Sequence, residues 1–262
     1  MHSVNIGNTA WHYDDHGSGP AMVFVHGFPM DRRIWVKQLA GFSDKHRVLT
    51  IDLKGFGKSR STEAFTIDSM ADDLVAFIHA VAAGPCLLAG LSMGGYVALS
   101  VAIRHAEVLR GLVMVSSKSQ ADTPQGKEGR QKMVELAEQQ GSKAVADQML
   151  PRVLGDLTLR DRPELVQELR NIMEQCSPRT IANATLAMRD RVDRTGDLPS
   201  LRMPVLVVLG ENDHLIPLAD GQQMARTCRR GAFISIPNTG HMAPMEDPTL
   251  VNKAIAEFAG RL

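Results

Sequence analysis

The sequence predicts an α/β fold: a doubly wound, mostly parallel eight-stranded sheet, opened by an N-terminal antiparallel hairpin and carrying a helical cap insertion. Three observations lead there. Short apolar runs alternate with helix-sized segments along the chain. The runs are apolar at successive positions, as strands covered on both faces must be. A single long stretch, 117–200, has charged helical patterning and no strand-like run. The division expected is therefore a core of residues 1–116 and 201–262, with 117–200 as the insertion.

Val4 to Ile6 and Thr9 to Tyr13 flank Gly7-Asn8, a hairpin signal. Six strand-length runs follow: Ala21 to His26, Arg47 to Asp52, Pro85 to Leu91, Leu112 to Ser116, Pro204 to Gly210 and Ala232 to Ile236. Helices are expected over Ile67 to Ala83, with Thr66 or Asp68 as its cap, and from Gly95 to Arg104. Pro248 to Phe258 closes the chain, and Asp247 before the proline is a start signal. Inside the insertion, helical spacing marks Gly129 to Gln140, Ser142 to Leu150 and Pro163 to Glu174. Met133, Met149, Met173 and Met188 suit helical packing, with a pliable acyl pocket as the alternative.

Composition narrows the function classes. Lys plus Arg and Asp plus Glu both number 29, so no net basic field draws nucleic acid or anionic lipid. The three cysteines are odd in number and widely spaced, which argues against a disulfide framework and a zinc ribbon. Neither a signal-peptide pattern nor a membrane-length apolar run is present, so a cytoplasmic protein is expected, with no membrane partner. Gly57-Lys58-Ser59 copies the end of a P-loop, but its first glycine would fall on Asp52. No cofactor or metal site is expected.

The chemistry centres on Gly90-Leu91-Ser92-Met93-Gly94. G-x-S-x-G is weak alone; here a predicted strand runs in and a predicted helix runs out, the setting of a nucleophile elbow. Glycines at 90 and 94 let strand and helix backbones approach where a Cβ would clash. A serine hydroxyl needs a base. Among nine histidines, His241 lies in a loop after a core strand, where its ring can reach the sheet's carboxyl edge. The base needs an acid to fix its tautomer. Asp213 follows the run ending at Gly210 and is the candidate, with Glu211 as the weaker alternative; Asp52 also ends a strand but precedes the serine. An oxyanion would need two backbone donors, the N–H of Met93 and that of Phe28 in the loop His26-Gly27-Phe28-Pro29-Met30. His26 is expected to brace that loop. A full proton relay favours an enzyme acting on a small-molecule ester over a ligand sensor.

Together HGFP, DLKGFGKS, GLSMGG, GEND and the Gly240-His241 pair resemble the α/β-hydrolase family, and most of all its small carboxylesterases and enol-lactonases. The resemblance implies the fold and a hydrolytic triad of Ser92, Asp213 and His241. It leaves ester, lactone and carbon–carbon bond cleavage open. Serine at position 92 disfavours the epoxide hydrolases and haloalkane dehalogenases of the same fold, which carry aspartate there.

Overall fold

A computed structural model describes residues 1–82 and 84–262. The strands are β1 (His2–Ile6), β2 (Thr9–His16), β3 (Ala21–Val25), β4 (Arg47–Ile51), β5 (Cys86–Leu91), β6 (Leu109–Val115), β7 (Val205–Gly210) and β8 (Gly231–Ile236). They form one eight-stranded sheet in the order β1-β2-β4-β3-β5-β6-β7-β8. The β1–β2 hairpin is antiparallel and joins β4 antiparallel; every other pairing is parallel. Every residue of β3, β5 and β7 is buried, as continuous apolar runs in a parallel sheet require.

The helices are α1 (Val36–Phe42), α2 (Ile67–Phe77), α3 (Met93–Arg104), α4 (Pro124–Val153), α5 (Asp156–Asp161), α6 (Pro163–Glu174), α7 (Pro178–Arg189), α8 (Leu218–Thr227), α9 (Ala243–Glu246) and α10 (Pro248–Ala259). Thr66 caps α2 in a reciprocal box with Ser69, and Asp247 accepts the Leu250 N–H at the start of α10. The helix expected to reach Ala83 changes at Phe77 to a wider turn over Ile78–Ala82, and Ala83 lies outside the described residues. α1 packs with α10, α2 with α3, and α8 lies on β7 and β8.

Between β6 and β7 the chain forms α4 to α7. The two segments expected on either side of Gly141 are two helical stretches of α4 that meet at a kink there, where Gly141 adopts the non-helical φ 78° and ψ −175°. Val145, Leu150, Leu165, Leu169, Met173 and Met188 of these helices belong to the same buried cluster as the sheet. Met149 joins them and Met133 packs against the cluster, so the methionines serve packing. No described helix is long and apolar enough to cross a membrane.

Parallel strands share one direction, so their carboxyl ends share one edge of the sheet. Residues 26–30 after β3, 92–95 after β5, 116–119 after β6, 211–216 after β7 and 237–242 after β8 all lie along it. Open parallel sheets place ligands at this edge.

Candidate active site

Ser92 forms the whole connection between β5 and α3, at φ 52° and ψ −113°. A non-glycine residue at positive φ is strained and persists only where its surroundings over-determine it. They do so here. Its N–H donates to Val115 O at 2.9 Å, and its carbonyl accepts from the N–H groups of Gly95 and Tyr96 at 2.9 and 3.2 Å. Ser117 Oγ donates to the same carbonyl at 2.9 Å. A Cβ on Gly90 would stand 2.2 Å from Gly94 O, and one on Gly94 would stand 2.4 Å from Val25 O. Both glycines are thus required by close backbone approach.

Asp213 and His241 meet two strand ends away. His241 Nδ1 donates to Asp213 Oδ2 at 2.8 Å, with side chains 2% and 0% exposed. Asp213 Oδ1 accepts from the N–H groups of Leu215 and Ile216 at 2.8 and 3.0 Å, which hold the carboxylate from the side away from the histidine bond on Oδ2. Burial pushes the Asp213 carboxyl up, but the imidazole and these backbone donors outweigh it and leave it below the ordinary carboxylate range. With Nδ1 occupied as donor, Nε2 is the nitrogen left to take a proton. Among the described residues, no hydrogen bond joins the His241 ring to Ser92 Oγ. Nucleophile–base contacts are often loose before substrate binds.

The alternative acids are engaged elsewhere. Glu211 is exposed and accepts from Ser235 Oγ at 3.2 Å. Asp52 is buried under Arg32, whose N–H and Nη1 reach it at 2.9 and 2.7 Å, and under the Lys58 N–H at 2.8 Å.

The loop after β3 leans on the elbow: a Cβ on Gly27 would stand 3.2 Å from Leu91 O and 3.3 Å from Ser92 Cβ. His26 braces it, since Nδ1 donates to Gly27 O at 2.8 Å while Nε2 accepts the Leu53 N–H at 3.1 Å. Burial holds this ring below the ordinary histidine range, against its bond to Gly27 and the charge of Asp52. Phe28 and Met93 are buried, and no described residue accepts a hydrogen bond from the N–H of either. Met93 is the first residue of α3, so its N–H has no intrahelical acceptor.

Residues 22–254 match the profile of the Alpha/beta hydrolase family. Over 259 residues the chain is 30% identical to the AB hydrolase superfamily protein YisY of Bacillus subtilis, covering 94% of each. The chain belongs to the alpha/beta hydrolase family. This hydrolase superposes with a TM-score of 0.96 on a thermophilic esterase from Thermogutta terrifontis, solved with malate bound; the two are 35% identical over 100% of this chain and 99% of that one. It is also 25% identical, over 90% of its own length and 87% of the relative's, to 3-oxoadipate enol-lactonase 2 of Acinetobacter baylyi.

Two side chains of this hydrolase escaped the sequence reading. Ser117, two residues past the end of β6, holds the Ser92 carbonyl. Glu246, buried at the end of α9, accepts from Gly240 N–H on Oε1 at 2.9 Å and from Gly155 N–H and Thr158 Oγ1 on Oε2 at 2.9 and 2.7 Å. Burial pushes its carboxyl above the ordinary range even though these donors pull the other way. An acid inside the otherwise apolar turn Ala243-Pro244-Met245 was the available signal. Burial pushes the Cys86 and Cys176 thiols up to about 12, which removes them as nucleophiles. Among the described residues, no three His, Cys, Asp or Glu side chains converge as metal ligands.

Proposed function

We propose that this protein is a serine hydrolase of short- to medium-chain carboxylic esters, working through an acyl-enzyme. Ser92 Oγ attacks the acyl carbonyl as His241 Nε2 takes its proton, and the N–H groups of Phe28 and Met93 hold the oxyanion of the tetrahedral adduct. Collapse breaks the ester bond, and His241 gives its proton to the departing alcohol. Water then attacks the acyl carbonyl carbon as His241 Nε2 takes its proton, and collapse breaks the bond to Ser92 Oγ, which takes that proton as the acid leaves. Asp213 keeps Nδ1 protonated and stabilises the imidazolium.

The observation that carries the reading is the buried 2.8 Å His241–Asp213 pair, set on the same sheet edge as a serine held at φ 52°. The unpartnered N–H groups of Phe28 and Met93 support the oxyanion role, and the esterase at 35% identity supports the ester class. Helices α4 to α7 act as a cap over the edge. Within 117–200 the exposed large apolar side chains are Leu157 and Val192, at 42% and 55%, on separate segments. That is no apolar face for an oil–water interface, so the substrate is water-soluble.

The test is kcat/KM across p-nitrophenyl esters from acetate to palmitate, with Ser92→Ala beside wild type. Activity peaks among the short and medium acyl groups, and Ser92→Ala loses about 10⁴-fold or more. A palmitate maximum with activation at an interface would overturn the substrate class, and a tenth of the rate left in Ser92→Ala would overturn the nucleophile. The similarity to an enol-lactonase favours ring-opening of a lactone as the second reading on the same residues. A lactone turned over faster than any ester in the series would select it.

A further inference from the structure

The loop that carries His241 is fastened to the helical insertion, and one side chain makes most of that joint. Glu246 spends both carboxylate oxygens on it. Oε1 takes the N–H of Gly240, the residue before His241, while Oε2 takes the N–H of Gly155 and the hydroxyl of Thr158, at the junction of α4 and α5. The backbones touch beside it: a Cβ on Gly240 would stand 2.4 Å from Gly155 N. Met242 N–H donates to Val153 O at 3.0 Å, and Arg162 Nη1, at the start of α6, donates to Glu246 O at 2.7 Å. His241 is thus bracketed, at 240 and 242, by bonds that end in the insertion or in Glu246. Neither bracket touches the ring itself.

We infer that Glu246 is a positioning residue through which the α4–α5 junction of the insertion sets where the His241 imidazole stands. The inference rests on the reading of His241 as the base. The carboxylate couples any displacement of Gly155 and Thr158 to Gly240. Misplacement of a catalytic group by about 1 Å costs on the order of 100-fold in rate.

The test is a double-mutant cycle on kcat and KM with p-nitrophenyl butyrate, using Glu246→Gln and Thr158→Val, with thermal melting of each variant. Thr158→Val is nearly isosteric and removes one donor far from the reacting atoms. Glu246→Gln keeps the shape but sets an amide N–H₂ against one of the two sides. Glu246→Gln is expected to lower kcat by about 10- to 100-fold with KM within about threefold, the pattern of a group misplaced at the reacting centre. Thr158→Val is expected to lower kcat by a smaller factor. The double variant is expected to be no slower than Glu246→Gln, because Thr158 acts only through it. Losses in kcat that multiply in the double variant would overturn the inference. So would melting temperatures that fall while kcat stays at the wild-type value, the signature of a structural role alone. Should Glu246→Gln fail to fold, Thr158→Val decides by itself: a lowered kcat at unchanged KM upholds the coupling, and a wild-type kcat overturns it. Ser92→Ala and His241→Ala run alongside. If either stays active the triad has been misread, whereas normal kcat in the bridge variants with both of these inactive refutes the bridge alone.

Discussion

Substituting alanine for Gly94 tests whether backbone proximity at the elbow is what builds the proposed oxyanion site. Gly94 is the second residue of α3, and its new Cβ would stand 2.4 Å from Val25 O and 2.5 Å from His26 O. Ordinary contact begins at 3.4 Å, so the first turn of α3 must withdraw by about 1 Å. No rotamer relieves the clash, because the atoms it meets are backbone. Nor can β3 yield, since it is paired to β4 on one side and to β5 on the other. The helix therefore moves, and it carries the Met93 N–H away from the loop that holds Phe28. Forced overpacking costs about 1–3 kcal/mol of stability. A displacement of this size at the reacting centre costs on the order of 100-fold in kcat. Ester hydrolysis and thermal melting measure the two effects. Gly129→Ala, an exposed site in α4 where a Cβ meets nothing within 4 Å, is the control. It should gain up to about 1 kcal/mol from helix propensity and leave kcat unchanged. A Gly94→Ala enzyme with kcat within threefold of wild type would refute the reasoning.

Asp213→Asn should lower kcat by about 10³- to 10⁴-fold, because an amide no longer holds the His241 tautomer that accepts the serine proton. Its folded carboxyl lies below the ordinary 3.8, so the stability it contributes is present above that pH and is lost as pH falls through the lowered value. The gap in melting temperature between wild type and Asp213→Asn should therefore be widest near neutrality and narrow below pH 3.8; a gap independent of pH would show that the ionised carboxylate is not the source. Ser117→Ala removes one of three donors to the Ser92 carbonyl and should lower kcat by up to about tenfold, the factor that 1.4 kcal/mol represents. Unchanged kcat in that variant would mean that the N–H groups of Gly95 and Tyr96 hold the elbow without it.

The legible parts of this fold were those with a period or a punctuation mark. Strands buried on both faces announce themselves as unbroken apolar runs, and β3, β5 and β7 fall within a residue of the runs that predict them. Gly141 separated two helical segments in the sequence and is where α4 bends. The insertion's α5 and α7 were not foreseen. The six residues of α5 are too few to show a helical period. α7 presents small and apolar residues over Ile181-Ala182-Asn183-Ala184-Thr185 rather than a clean stripe, although Ser177 before Pro178 was a start signal within reach. Met93 and Gly94 belong to α3, which starts earlier than the glycine pair suggests, because the elbow needs a single residue to turn the chain.

The site divides along the same line, for a chemical reason. Ser92, Asp213 and His241 could be singled out as candidates because each chemical task admits few side-chain types, and because each would stand past a strand end on one edge of the sheet. Glu246 and Ser117 act on backbone groups, and a backbone N–H or carbonyl has no identity in the sequence. Glu246 and its donor partner at Gly155 are 91 residues apart, and nothing about a glycine reveals that its N–H will need a carboxylate there. What can be read instead is the anomaly on the side-chain end: an acid among Ala243, Pro244 and Met245, all buried, has to be paid for by donors that the fold must supply. A buried acid whose donors are backbone N–H groups thus points to a distant segment, and Glu246, five positions after the proposed base, gathers both Gly240 beside His241 and Gly155 in the insertion.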